Sequence, residues 1–135
     1  PIGVTFSLSS DDISLNSLVK SFLPAMSVGC SVISFTNQNA VLALKLSEDI
    51  NNSDFPSGSL NILTGNFENI VEDVGAHVEI RLAAIYSNIS NDLLETLDVK
   101  GSDSVKRIVN LPSDEGLGSI IPFVETKTVW HPKGQ

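Results

Sequence analysis

Few side chains in this 135-residue sequence are of the types, at the spacings, that chemistry needs. Asp11-Asp12 follows a short apolar run, and two carboxylates after a strand can hold a divalent cation for phosphoryl transfer. That reaction also needs an acceptor Asp at the end of the third strand, where the sequence reads Leu63-Thr64-Gly65. With Ser10, the pair is better suited to capping the helix that follows. His77 and His131 are the only histidines and Cys30 the only cysteine, and all three are far apart. No cluster stands at metal-ligand spacing, so no metal site is expected. Cys30 falls at a helix-to-strand turn, the end of an α/β sheet remote from ligands, and reads as a small buried residue. His77 falls at a helix end, where an imidazole can bond the last carbonyls. Glu68, Glu72 and Asp73 read as a solvated face. No G-x-G-x-x-G, phosphate-binding loop or G-x-S-x-G occurs.

Composition narrows the function classes further. A net charge of −8 with only eight Lys and Arg excludes a nucleic-acid partner, because phosphates must be neutralised by clustered cations. No apolar run approaches the roughly 18 residues of a membrane span. A single cysteine fits a reducing compartment, and a cytoplasmic location is expected. The sequons Asn51-Asn52-Ser53 and Asn88-Ile89-Ser90 are frequent by chance in a chain this rich in Asn and Ser. The sequence starts at Pro1, inside an apolar run and without an initiator Met, so it is expected to be a piece of a longer polypeptide.

The elements that must position these residues are read from apolar periodicity, which switches repeatedly between two and 3.6. Strands are expected at 2–8, 31–36, 60–63, 82–85 and 105–109. The first helix, after Ser10-Asp11-Asp12, carries Leu15, Leu18, Val19, Phe22, Leu23 and Met26 on one face and ends at Gly29. The second, from Ala40 to about Ile50, is apolar nearly all round and expected to be well buried. Asn66 caps a third with Phe67, Ile70, Val71 and Val74, and a fourth spans 91–97. Alternating strands and helices imply an α/β fold with a doubly wound, mostly parallel sheet of about five strands. Residues 1–110 form that domain, 111–120 a linker, and 121–135 an extra terminal strand with Val124, Thr126, Thr128 and Trp130 on one face. Pro122 suits an edge position.

Five segments carry a resemblance to a known family. They are Pro1-Ile2-Gly3-Val4, Leu23-Pro24-Ala25-Met26-Ser27-Val28-Gly29, the run from Phe55-Pro56 to Thr64-Gly65, Val105-Lys106-Arg107-Ile108, and Val124 to Gly134 with Trp130 at its centre. In order and spacing they resemble the Rossmann-like coenzyme domain of aldehyde dehydrogenases. They are most similar to the truncated C-terminal domain of the sixteenth family, where the coenzyme half runs almost directly into the oligomerisation strand.

The resemblance also implies where the working residues would stand. The oxyanion-holding Asn of active relatives falls at Ser9, Ser10 or Asp11, and an acid there repels an oxyanion. The Lys and Glu that grip the adenosine ribose fall in Phe35-Thr36-Asn37-Gln38. The Gly-Ser that meets the pyrophosphate at a helix N-terminus falls at Ser87-Asn88. The general-base Glu falls near Leu111, and the segment bearing the nucleophilic Cys is missing. The implied reading is a non-catalytic domain without a cofactor, serving in assembly. Its partner would be a second copy or a neighbouring dehydrogenase domain, met through Val124, Thr126, Thr128 and Trp130. The alternative is part of an NAD-dependent enzyme that completes a site on another domain, with Thr64, Gly65, Ser87 and Asn88 lining a vestigial nucleotide site.

Overall fold

The computed structural model describes residues 1–12, 14–111 and 116–132. In chain order it comprises β1 (Val4–Leu8), α1 (Leu15–Ser27), β2 (Ser31–Thr36), α2 (Ala40–Asn51), β3 (Leu60–Thr64), α3 (Val71–Ala76), β4 (Ile80–Ile85), α4 (Asn91–Gly101) and β5 (Arg107–Asn110). Short 3₁₀ turns lie at Phe67–Asn69, Ser102–Ser104, Leu117–Ser119 and Ile121–Phe123. All five strands are parallel, in the order β3-β2-β1-β4-β5. The expected doubly wound sheet is therefore present.

Alternation along the central strands builds two cores. Phe6, Leu8, Phe35, Ala83 and Ile85 face Val71, Val74 and Leu97 of α3 and α4. Val32, Leu82 and Ala84 face Leu18, Phe22 and Ala25 of α1 and Ala43 of α2. Both sheet faces are covered, as parallel sheets require. The rings of Phe6, Phe35 and Phe67 cluster with centroids 5.8 to 6.2 Å apart, which seats the turn after β3 against the sheet.

Several local expectations are corrected by packing. The N-cap of α1 is Ser14, whose hydroxyl accepts from the Ser17 N–H; Asp11 and Asp12 lie ahead of it. Leu15 and Leu23 are exposed, so the buried stripe of α1 is Leu18, Ser21, Phe22 and Ala25. Gly29 follows with φ +87°, a conformation that favours glycine, and so ends α1 as expected. Helix α2 is not well buried: it packs on the edge strand β3, buries only Ala43 fully, and leaves Val41 and Leu44 in solvent. The His77 ring does not cap α3; its Nδ1 accepts from the Glu79 N–H. The Lys106 ammonium caps α3 instead, donating to the carbonyls of His77 (2.7 Å) and Ile80. Burial, with a smaller contribution from the Arg81 charge, holds the Lys106 pKa below the usual lysine value.

The extra C-terminal strand is not formed in the single chain. Ile121–Phe123 is a 3₁₀ turn, and residues 124–132 pair with no strand. Phe123 is buried under the sheet, and its carbonyl accepts from the Ile2 N–H. Arg107 Nη1 donates to the carbonyls of Pro122 and Val124 and leads the segment along β5. Beyond that point the segment makes no ladder with the open edge of β5, and an unpaired strand is not stable alone. Residues 112–115 of the expected linker and 133–135 lie outside the described residues.

Helices α3 and α4 pack closely at Gly75, where an added Cβ would sit 2.5 Å from Lys100 Cβ and 3.4 Å from the Leu97 carbonyl. Gly75→Ala is expected to force the helices apart and cost about 1–3 kcal/mol. The effect should read as a lower urea midpoint at unchanged slope; an unchanged midpoint would show that the contact is not limiting.

Candidate functional site at the strand C-termini

The chain leaves β1 toward β2 on one side of the sheet, while β4 lies on the other, so the topological switch falls between β1 and β4. Open α/β sheets bind ligands there, outside the strand C-termini. A cleft of about 190 Å³ lies at this end, and Asp11, Asn37, Asn66, Glu68, Ser87 and Asn88 are among its lining residues. Of the candidates read from sequence, Ser87 and Asn88 line it. Thr64 and Gly65 do not, because β3 is the outermost strand and Thr64 points into solvent. Gly65 needs no left-handed backbone, and its N–H donates to the Thr36 carbonyl at 3.2 Å.

Several polar groups at this end of the sheet are engaged with one another, while Ser9 Oγ and Asn39 Oδ1 are buried without a partner. Ser87, buried after β4, donates its hydroxyl to Asp11 Oδ2 at 2.6 Å, across the switch point itself. Asn37, after β2, accepts from the Phe67 N–H at 3.1 Å and so fixes the turn after β3. Asn39 donates through Nδ2 to the Asp12 carbonyl at 3.0 Å, tying the β2 exit to the β1 exit. The loops that would have to receive a ligand are thus laced together. The charged side chains lining the cleft are Asp11 and Glu68, both acids. Ser90 caps α4 by accepting from the Leu93 N–H at 3.4 Å, so that helix start already has a partner.

Other expected positions lie elsewhere. Leu111 extends β5, its N–H donating to the Ile85 carbonyl at 2.9 Å, and packs on the α1-side core. Cys30 is buried at the opposite end of the sheet, with Sγ 3.5 Å from the Phe123 carbonyl. Among the described residues no group of three His, Cys, Asp or Glu side chains is placed to hold a metal, and no helix is long and apolar enough to cross a membrane. Sequence reasoning missed the Asp11–Ser87 pair and the roles of Asn37 and Asn39. The only available signal was that β1 and β4 must be neighbours in this winding.

Residues 1–90 match the family model described as "Aldehyde dehydrogenase family". The chain belongs to the aldehyde dehydrogenase family. Its fold is that of solved dehydrogenases. An aldehyde dehydrogenase from Brucella melitensis biovar abortus 2308 superposes with TM-score 0.70 at 22% identity, over 82% of this chain and 23% of that one. The Bartonella henselae enzyme gives 0.66 at 21%, over 81% and 23%. A betaine aldehyde dehydrogenase from Staphylococcus aureus, solved in complex with NAD⁺, gives 0.66 at 19%, over 83% and 22%. The chain therefore spans less than a quarter of the length of these structures. No match to a curated protein was found.

Beside the switch point, Tyr86 turns its ring toward the α1-side core and its hydroxyl is buried without a partner. Burial pushes its pKa up to about 12 from 10.0. The phenol is neutral in both folded and unfolded chains below pH 10, where its contribution is complete. That contribution is lost as pH rises from the unfolded value through about 12, to a limit of about 2–3 kcal/mol. Tyr86→Phe is expected to remove this part of the alkaline loss while leaving stability at neutral pH equal or higher. Urea denaturation at neutral pH and above pH 10 checks both halves, and a large neutral-pH loss would contradict the unpartnered hydroxyl.

Proposed function

We propose that this chain is a non-catalytic aldehyde-dehydrogenase-derived domain that serves in assembly, akin to the truncated second domain of the sixteenth family. The observation that carries this is the Asp11–Ser87 hydrogen bond spanning the switch point. A dinucleotide laid there would bring its pyrophosphate up to a carboxylate, in a cleft whose charged lining is Asp11 and Glu68. Like charges repel, so the residues present do not fit the cofactor. Nor does the site hold a thiol, since Cys30 lies at the other end of the sheet.

Assembly is supported by the terminal segment. Val129 and Trp130 are exposed, Trp130 to 87%, and the backbone of residues 125–132, which pairs with no strand, is open to pairing beside the face of Val124, Thr126, Thr128 and Trp130. The partner in this reading is a second copy, giving a homodimer. The second reading, a nucleotide-binding part of a composite enzyme, draws on the position of Ser87 and Asn88 before α4.

Calorimetry with millimolar NAD⁺ and NADH is expected to show no binding. A dissociation constant tighter than about 0.1 mM, more than 5 kcal/mol, would replace the assembly reading with the composite-enzyme one. Sedimentation of Trp130→Ala is expected to show monomers where the parent chain dimerises; a dimer of unchanged strength would remove the terminal segment from the interface.

A further inference from the structure

The α1 side of the sheet changes character along the strands. Toward the strand N-termini it is apolar, and a groove of about 610 Å³ opens there between α1 and α2, beside Phe22, Met26 and Leu46. Toward the strand C-termini it is lined by hydroxyls. Phe6, Leu8 and Phe35 fill the core against α3 and α4, so Ser7, Ser9, Ser34 and Thr36 alternate onto the α1 side. Ser7 pairs in register with Ser34, and the Ser9 N–H donates to the Phe35 carbonyl, which sets Ser9 beside Thr36 on the next rung. Asn39 closes the end of this seam: its N–H donates to Thr36 Oγ1 at 3.2 Å and its Nδ2 to the Asp12 carbonyl.

Ser9, Ser34 and Asn39 are 2%, 0% and 1% exposed. Their neighbours have protein partners, since Ser7 donates to the Ser21 carbonyl and Ser21 to the Leu18 carbonyl. Ser9 Oγ, Ser34 Oγ and Asn39 Oδ1 have none among the described residues. The remaining buried and unpartnered oxygen there, the Tyr86 hydroxyl, sits at the tip of a ring packed among apolar side chains. Leaving a buried hydroxyl dry forfeits the hydrogen bonds it makes to water when unfolded. Three such oxygens on two adjacent rungs and the turn beyond them therefore call for a shared partner. That partner must donate to Asn39 Oδ1, which can only accept, and can also accept from the serine hydroxyls. It must be neutral as well: Lys106 is the one ionisable side chain among the described residues buried in the protein's polar interior, and it lies at the start of β4, at the other end of the sheet. Water meets each requirement.

We propose that the seam between α1 and the C-terminal ends of β1 and β2 is an internal hydration site, in which bound water bridges Ser9 Oγ, Ser34 Oγ and Asn39 Oδ1. The water joins the exits of both strands to the start of α2, which Asn39 precedes. Oxygen-17 magnetic relaxation dispersion of the full chain tests this directly, and is expected to show water held for longer than the protein's tumbling time. Ser34→Val places methyl groups in the seam and is expected to lower the dispersion amplitude by at least one water. Ser34→Ala removes one partner of the water and is expected to lower the urea midpoint at unchanged slope. Ser9→Ala should do the same, and the double variant should lose less than the sum, because both changes act on shared water. Tyr86→Phe serves as the dry control, with its midpoint equal or higher.

A parent chain without long-lived water overturns the proposal whatever the variants do. So does a Ser34→Val chain that keeps the full dispersion amplitude, since the water then lies elsewhere. A raised midpoint for Ser34→Ala would show that its hydroxyl is dry, as in Tyr86, and overturn it as well.

Discussion

Strand β1 is the constraint on which the rest depends. It is paired on both edges, to β2 and β4, and Thr5 to Ser9 are buried without a break. A strand enclosed on two edges and two faces must place its backbone groups in ladders and its side chains in two separate cores. Phe6 and Leu8 supply one core, while Thr5 and Ser7 face the other, where Ser7 donates to the Ser21 carbonyl of α1. Because β1 is central, the chain must reverse its winding beside it. The β1 and β4 exits are thereby brought side by side, with the cleft between them.

What that cleft does follows from which polar groups meet there. A switch-point crevice is receptive when its loops leave backbone N–H groups and a helix start free for an anion. Here Asp11 holds Ser87, Asn37 holds the turn after β3, and Asn39 holds the Asp12 carbonyl. These bonds join loops from four strands at the end of the sheet where a ligand would enter. Side chains at a switch point can in this way be exchanged with no change in topology.

The unresolved demand of the structure lies at its periphery instead. Apolar surface is exposed along the α1–α2 groove and at the end of the terminal segment, and the segment's backbone has no ladder. Such surface in water is a signature of contact with another body. Lys106 shows the contrasting solution in the interior. Its ammonium is buried at a cost that lowers its pKa, offset by its bonds to the carbonyls of His77 and Ile80.

The order of elements, the parallel doubly wound sheet and the burial of Cys30 were all legible in the sequence, because apolar periodicity and glycine stops are local properties. The burial of α2 was misread for the same reason: Val41 and Leu44 fit an apolar pattern, but α2 packs at the β3 edge of the sheet. The Ser14 cap is a local bond to the Ser17 N–H that the sequence reading placed at Ser10–Asp12; the Lys106 cap and the Asp11–Ser87 bond were decided by tertiary structure alone. The last joins residues 76 positions apart, which meet only because β1 and β4 are neighbours. The terminal segment shows the limit from the other side. Its alternating side chains encode a strand, but a strand exists only when a second edge supplies its hydrogen bonds, and the segment's own pattern does not choose that edge.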